Sequence, residues 1–299
     1  LKLQTYTPET ITIKSNKKDF LIKDKNSIWN GKSLYELYNK AFTPWDWHET
    51  IFKKAKKLGL ICFSSPFDIS AVDFLESLNV PAYKIASFEI TDFPLIKRIA
   101  QTNKPIILST GMATIKEINE AISLIKKFGK SEYALLKCTS SYPADPSSSN
   151  ISTIPHLQSL FSTKVGLSDH TFGIGTSIAS IALGACVIEK HFTLDKKLKG
   201  PDHLSSLTPK EFKKMVQSIS NIEKGLGTYD KVISKNEKEN IKFSRKSIVA
   251  KKKIIKGEKF RVTNITTKRP GNGISPLNWF KVLNRKAIKN FKKDDLIKI

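Results

Sequence analysis

The sequence predicts an α/β chain: a (β/α)₈ barrel lacking its first βα unit, followed by a small β-rich domain. Three observations carry this expectation. Short apolar runs alternate seven times with longer amphipathic stretches through the first three quarters of the chain, the pattern of βα units around a parallel sheet. Hydroxyl, imidazole and carboxylate side chains gather at the C-terminal ends of those runs, the end at which a barrel assembles its active site. Beyond Tyr229 the rhythm stops, and short strands and turns replace it.

The predicted strands are residues 2–5, 61–65, 83–87, 106–110, 133–139, 164–169 and 187–192. Between and after them, apolar residues at helical spacing predict helices at 49–58, 71–78, 93–101, 115–128, 151–161, 175–183 and 209–224. Seven units are one short of a closed barrel, and the chain begins at Leu1 rather than Met. The expectation is a first strand and helix upstream of Leu1. An open doubly wound sheet is the competing architecture, but no G-x-G-x-x-G turn follows any strand.

Between Thr7 and His48 the alternation pauses for about forty residues containing Trp29, Tyr35, Tyr38, Trp45 and Trp47. An insert at a barrel mouth is either a lid or recognition loop, or a surface excursion with its own small core. The Lys- and Asn-rich stretch 229–240 reads as a linker. The domain boundaries predicted are thus 1–228, 229–240 and 241–299, the last long enough for a small β-rich module.

With 299 residues and 39% hydrophobic content the chain buries a substantial core. No window approaches a membrane span and no secretory signal opens the sequence, so a cytoplasmic protein is expected. Cys62, Cys138 and Cys186 are odd in number and each lies within an apolar run, so all three read as reduced core residues. The formal charge of +24 invites a nucleic-acid reading, but only five of the 51 cations are Arg. Readers of bases and phosphates lean on the guanidinium fork. Residues 241–299 hold 18 Lys+Arg against 3 Asp+Glu, yet they carry no helix or ribbon motif that reads a groove.

Two sets of strand-end residues carry chemistry. His170 and His191 end adjacent predicted strands, which sets two imidazoles side by side at the mouth. With water and substrate oxygens they would complete a Mn, Co or Mg site, and His203 is a weaker third candidate. Lys2 and Lys84 interrupt otherwise apolar strands. Facing inward, a buried ammonium calls for a phosphate or carboxylate ligand, or serves as a Schiff-base nucleophile. Facing outward, each would snorkel between helices.

Six motifs make the reading specific. Lys84-Ile85-Ala86-Ser87 with Glu89, Leu108-Ser109-Thr110-Gly111-Met112, Gly166-Leu167-Ser168-Asp169-His170-Thr171, Glu189-Lys190-His191-Phe192, Gly200-Pro201-Asp202 and Lys268-Arg269-Pro270-Gly271-Asn272-Gly273 follow one another in this order. They closely resemble the sialic acid synthase family. The resemblance implies a (β/α)₈ barrel followed by an antifreeze-like (SAF) domain, and a metal-dependent condensation of phosphoenolpyruvate with an acetamido sugar. Within the family, Lys2-Leu3-Gln4-Thr5-Tyr6-Thr7, Leu34-Tyr35-Glu36-Leu37-Tyr38 and Thr43-Pro44-Trp45-Asp46-Trp47-His48 resemble the pseudaminic acid synthase branch. That branch implies 2,4-diacetamido-2,4,6-trideoxy-altropyranose as the sugar; N-acetylneuraminate and legionaminic acid synthases are the alternatives.

The resemblance also implies roles. His170 and His191 match the metal ligands. Lys2, Ser65, Lys84, Ser87, Ser109, Thr110 and Ser168 match the phosphoenolpyruvate-binding set. Gln4, Tyr142 and Asp202 match positions near the sugar, and Glu89 matches an acidic residue near the reacting atoms. Arg269 matches an arginine that the small domain of one subunit extends into the barrel mouth of the other, which implies a homodimer. Family members also carry a Glu and an Asn-His-Asn-Gly type segment on the first strand, expected upstream of Leu1.

Overall fold

The computed structural model describes residues 1–23, 29–198, 200 and 202–299. They fall into two units, Leu1–Gly227 and Thr228–Ile299.

The first unit holds one seven-stranded parallel sheet: β1 Lys2–Thr5, β2 Phe63–Pro66, β3 Tyr83–Ile85, β4 Ile106–Ser109, β5 Tyr133–Cys138, β6 Val165–Asp169 and β7 Ile188–Lys190, paired in chain order. Its helices are α1 Pro8–Ile11, α2 Leu34–Ala41, α3 Trp45–Lys57, α4 Ile69–Ser77, α5 Phe93–Ala100, α6 Ile115–Phe128, α7 Thr153–Phe161, α8 Gly175–Ala182 and α9 Pro209–Leu226. The α/β expectation is met, and each of the seven predicted strands overlaps an observed one. Local chemistry starts α6 and α9 where the sequence predicts them, and it starts α2 within the insert, where no helix is predicted. Ser33 with Glu36, Thr114 with Glu117 and Thr208 with Glu211 form capping boxes on α2, α6 and α9, each satisfying backbone donors that a helix N-terminus leaves open.

The core lies between sheet and helices. Tyr83, Ile85, Leu108, Leu135 and Val165 on the strands pack with Leu75, Ile96, Ile99, Ile122 and Ile125 on α4, α5 and α6. Period-two alternation then sends the intervening strand residues to the other face, into the barrel. Gly166 shows how closely β6 and β7 approach: a Cβ there would fall 2.3 Å from the Val187 carbonyl oxygen.

The insert between β1 and α3 carries α1, a 3₁₀ turn Lys18–Phe20 and α2. Tyr6 anchors it, its ring meeting Tyr38 edge-on at 5.6 Å and Phe67 at 5.2 Å, while Trp45 stacks on Phe74 at 4.6 Å.

The second unit pairs β8 Ser247–Ala250 with β9 Ile265–Lys268 in antiparallel register. Ile248, Ile254, Phe260, Ile265, Val282, Phe291 and Ile297 form its own core, with α10 Lys235–Ser244 preceding β8 and α11 Trp279–Val282 following β9.

Two expectations need amending. The stretch read as a linker is helical over its second half, because Ser234 and Glu237 form a capping box that starts α10. The helix is exposed and lacks a buried apolar face, the pattern by which a helix is usually read. Cys186, expected in the core, is exposed. It lies in the turn between α8 and β7, where an apolar run does not imply burial.

Candidate active site

Lys84, on β3, is 1% exposed. Its ammonium donates to the Ser109 hydroxyl at 2.7 Å and to the Ile85 carbonyl at 3.1 Å, and lies 3.8 Å from Glu189 Oε1. Glu189, on β7, accepts the Ser168 hydroxyl at 2.8 Å on that oxygen, and its Oε2 is 3.1 Å from Lys2 Nζ on β1. Of the two orientations open to the strand lysines, the inward one holds. Burial pushes the Lys84 ammonium down to about 8, with Glu189 opposing. The same burial would raise Glu189, but Lys84 and Lys2 hold its carboxyl at about 2. Two ammonium groups thus face one carboxylate, leaving an uncompensated positive charge in a low-dielectric pocket. That arrangement attracts an anion.

The remaining strand-end hydroxyls divide. Ser87 Oγ accepts the Gly111 N–H at 3.1 Å, and a Cβ on Gly111 would fall 2.2 Å from Ser140 Oγ and 2.7 Å from Ser87 Oγ, so only glycine brings this backbone alongside the serines without displacing them. Ser65 donates to the Lys84 carbonyl and Thr110 to the Leu136 carbonyl. In this arrangement those two hydroxyls offer a ligand only lone pairs.

His170 and His191 follow β6 and β7 with ring centroids 5.3 Å apart. Their rings are crossed by Tyr142, at 4.1 Å from His170 and 5.6 Å from His191. His170 Nδ1 lies 2.8 Å from the Thr139 carbonyl, and a carbonyl can only accept, so the proton is assigned to Nδ1 and the Nε2 lone pair is left available. Cys138 Sγ is 3.9 Å from the same Nδ1. His191 Nδ1 lies 3.6 Å from Asp202 Oδ2. An oxygen beside Nδ1 and an available Nε2 is the arrangement that metal-ligating histidines adopt, so the donor set fits a divalent cation. His203 instead shares a 2.7 Å hydrogen bond with Thr193. Among the described residues no three His, Cys, Asp or Glu side chains form a metal cluster, so a cation here would need oxygens from water or substrate.

Glu89 lies on the 3₁₀ turn Ser87–Glu89 that leaves β3. Its Oε2 is buried with no hydrogen-bond partner among the described residues, and burial pushes its carboxyl up to about 7 against the pull of Lys84. This is a carboxyl near neutral pH in a barrel mouth, suited to taking or holding a proton.

The structure therefore brings Lys2, Lys84, Ser109 and Ser168 into one network and His170, His191, Tyr142 and Asp202 into another. Gln4 is exposed on β1, and Arg269 is exposed on the second unit. Pro201 of the Gly200-Pro201-Asp202 motif lies outside the described residues. Glu189 is the functional candidate that received no role from sequence, because its lysine partners lie on strands distant in the numbering. The buried Asp169–Lys190 pair, 2.9 Å apart, was likewise read only as part of two motifs.

Residues 1–231 match the NeuB family and residues 245–299 the SAF domain. The chain belongs to the NeuB family. A relative from Campylobacter jejuni subsp. jejuni serotype O:2, N,N'-diacetyllegionaminic acid synthase, is 44% identical over 301 residues, covering 100% of this chain and 89% of that protein. The pseudaminic acid synthase of Helicobacter pylori is 44% identical over 292 residues, covering 98% and 85%. Among solved structures, the N-acetylneuraminic acid synthetase of Leptospira borgpetersenii serovar Hardjo-bovis in complex with citrate is 32% identical. It has a TM-score of 0.68 and covers 80% of this chain and 78% of that one. The NeuB and SAF matches account for both units, the seven-stranded sheet and the small antiparallel pair.

Proposed function

We propose that this NeuB-family chain is a pseudaminic acid synthase, a transferase that joins phosphoenolpyruvate to 2,4-diacetamido-2,4,6-trideoxy-altropyranose and releases phosphate. The observation that carries the reading is the meeting of two sites at one barrel mouth. The Lys2–Lys84–Glu189 cluster holds excess positive charge, and the His170–His191 pair lies close enough to it that the Glu189 charge acts on both imidazoles and that of Lys2 on His191.

Carbon 3 of phosphoenolpyruvate attacks the aldehyde of the open-chain sugar, forming the new C–C bond and leaving positive charge at carbon 2. Water adds at carbon 2 and gives up a proton, balancing the proton that the former aldehyde oxygen takes up to become a hydroxyl. The C–O bond to phosphate then breaks with its electron pair leaving on phosphate, as the new carbon 2 hydroxyl loses its proton and becomes the keto group. Lys2 and Lys84, with Ser87, Ser109 and Ser168 around them, hold the phosphate and carboxylate through charge-assisted hydrogen bonds. Ser65 and Thr110 join them by rotating their hydroxyls. Glu89 stabilises the cation or accepts the proton of the attacking water. Gln4, Tyr142 and Asp202 line the sugar side. His170 and His191 would hold a divalent cation (Mn, Co or Mg), which when bound supplies Lewis-acid polarisation of the aldehyde oxygen.

The same reading makes the protein a cytoplasmic homodimer in which Arg269 of one subunit reaches the barrel mouth of the other. Its partners are small molecules, not nucleic acid or membrane. The Lys-dominated charge supports the first exclusion, and among the described residues no helix is long and apolar enough to cross a membrane.

The test is product formation by the full-length protein from phosphoenolpyruvate and Mn²⁺ with three sugars in parallel. These are the altro diacetamido sugar, the diacetamido precursor of legionaminic acid, and N-acetylmannosamine. Preference for the first supports the reading, preference for another moves the chain to a sister activity, and turnover of none overturns it.

A further inference from the structure

The two histidines each follow one member of a buried charge pair. In the β6–β7 register Asp169 is partnered with Lys190, and Ser168 with Glu189. Ser168 and Glu189 share the inner face with the lysine cluster. By alternation Asp169 and Lys190 take the outer face, and the next residues, His170 and His191, return to the inner one. Asp169 Oδ2 is 2.9 Å from Lys190 Nζ, with both side chains 1% exposed, and accepts the Ser177 hydroxyl of α8 at 2.6 Å. Asp169 Oδ1 accepts the backbone N–H and the hydroxyl of Thr171, each at 2.8 Å. Lys190 also donates to the Thr171 carbonyl at 2.5 Å. His170 therefore sits between two residues that are both tied to the side chain preceding His191.

A buried ion pair is poor evidence for stability, because an apolar pair of similar volume often does as well or better, and register is its better-attested use. Register matters here because a one-residue slip between β6 and β7 would turn one histidine out of the barrel. The hydrophobic pattern does little to prevent that slip, since β7 contains only Ile188 as an apolar residue.

We infer that Asp169 and Lys190 are positioning residues that fix the spacing of His170 and His191, and through it the affinity of the site for a divalent cation. The inference rests on the metal reading of those histidines. Its test is Mn²⁺ binding to the full-length protein, measured by the electron paramagnetic resonance signal of free Mn²⁺, together with melting temperature. In an Asp169→Leu/Lys190→Met double variant the melting temperature should hold or rise while the Kd for Mn²⁺ rises about 10- to 100-fold, the usual range for loss of a partner behind metal ligands. Ser177→Ala, a milder change that removes one hydrogen bond to Asp169, should raise Kd in the same direction by a smaller factor, and it decides the matter if the double variant does not fold. Wild-type affinity within twofold in the folded variants overturns the inference alone. So does a loss of affinity that only tracks a fall in melting temperature. Failure of the wild-type protein to bind Mn²⁺ overturns the inference and the metal reading together.

Discussion

Lys2, on the first strand of the sheet, places its ammonium 3.1 Å from the carboxylate of Glu189, on the last. The strand pairings run in one order from β1 to β7, so this ion pair shows that the sheet curls until its two ends face each other. The same carboxylate lies 3.8 Å from the buried Lys84 and accepts the Ser168 hydroxyl. One acid on the final strand thus collects groups from β1, β3 and β6 into a single charged cluster.

The two lysines should contribute unequally. The Lys84 side chain is 2% exposed and that of Lys2 is 24%, so water screens Lys2 more and a ligand gains less from it. Lys84→Met should lower kcat/KM for phosphoenolpyruvate roughly ten- to hundredfold, the size of a charge-assisted hydrogen bond of about 1.5–3 kcal/mol. Lys2→Met should lower it less. Steady-state kinetics at saturating sugar checks the order, and an equal or larger effect at Lys2 would overturn the burial argument.

Glu89 and Glu189 should act on stability with opposite pH dependence. Burial raises Glu89 to about 7 from an ordinary 4.5, so its contribution is fully present below about 4.5 and is lost as pH rises through about 7. Glu189 is held at about 2 by Lys84 and Lys2 despite burial, so its contribution is present above about 4.5 and is lost as pH falls toward 2. Relative to wild type, Glu89→Gln should gain melting temperature between pH 5 and pH 8. Glu189→Gln should be destabilised most at neutral pH and progressively less below pH 4.5. At this domain size each 1 kcal/mol moves the midpoint by roughly 2–4 °C, so melts across pH resolve both trends. Parallel curves for the two variants would contradict the assignment.

The histidine pair gives a sharper test. Nδ1 of His170 is turned to the Thr139 carbonyl and that of His191 toward Asp202, and among the described residues no hydrogen bond occupies either ring's Nε2. A His170→Ala/His191→Ala variant should lose at least about 100-fold in activity, the scale of removing a principal transition-state stabiliser. Chelation of the wild-type protein should abolish turnover, and Mn²⁺ should restore it. Full activity in the double variant would sink the metal assignment.

The strands were legible because their apolar runs are short and end in hydroxyls and histidines. The histidine pair was legible for the same reason: neighbouring units in sequence are neighbours in a parallel sheet. Glu189 was present in a recognised motif, but its partner Lys2 lies 187 residues earlier in the numbering, and no local pattern shows that the sheet's ends meet. Ser65 and Thr110 could not be sorted in advance, because a hydroxyl bonded to a strand carbonyl and one facing a ligand look alike in sequence. Helix α10 was missed for a different reason. Its Ser234–Glu237 capping box is visible, but a helix with no buried residue leaves no hydrophobic periodicity to read.

Arg269 is exposed on the second unit, a placement compatible with service in another subunit. If the proposed sharing holds, Arg269→Ala and His170→Ala should each be nearly inactive alone, one lacking the arginine proposed to be donated and the other a proposed metal ligand. In a mixed dimer, the barrel of the Arg269→Ala subunit meets an intact Arg269 from its partner, and one of the two sites is complete. After free exchange at equal concentrations half the dimers are mixed, so about a quarter of wild-type activity should return. The recovery should require time for exchange, and mass spectrometry of isotope-labelled subunits can follow that exchange independently. If mixed dimers form and activity stays at the level of the separate variants, the sites are not shared.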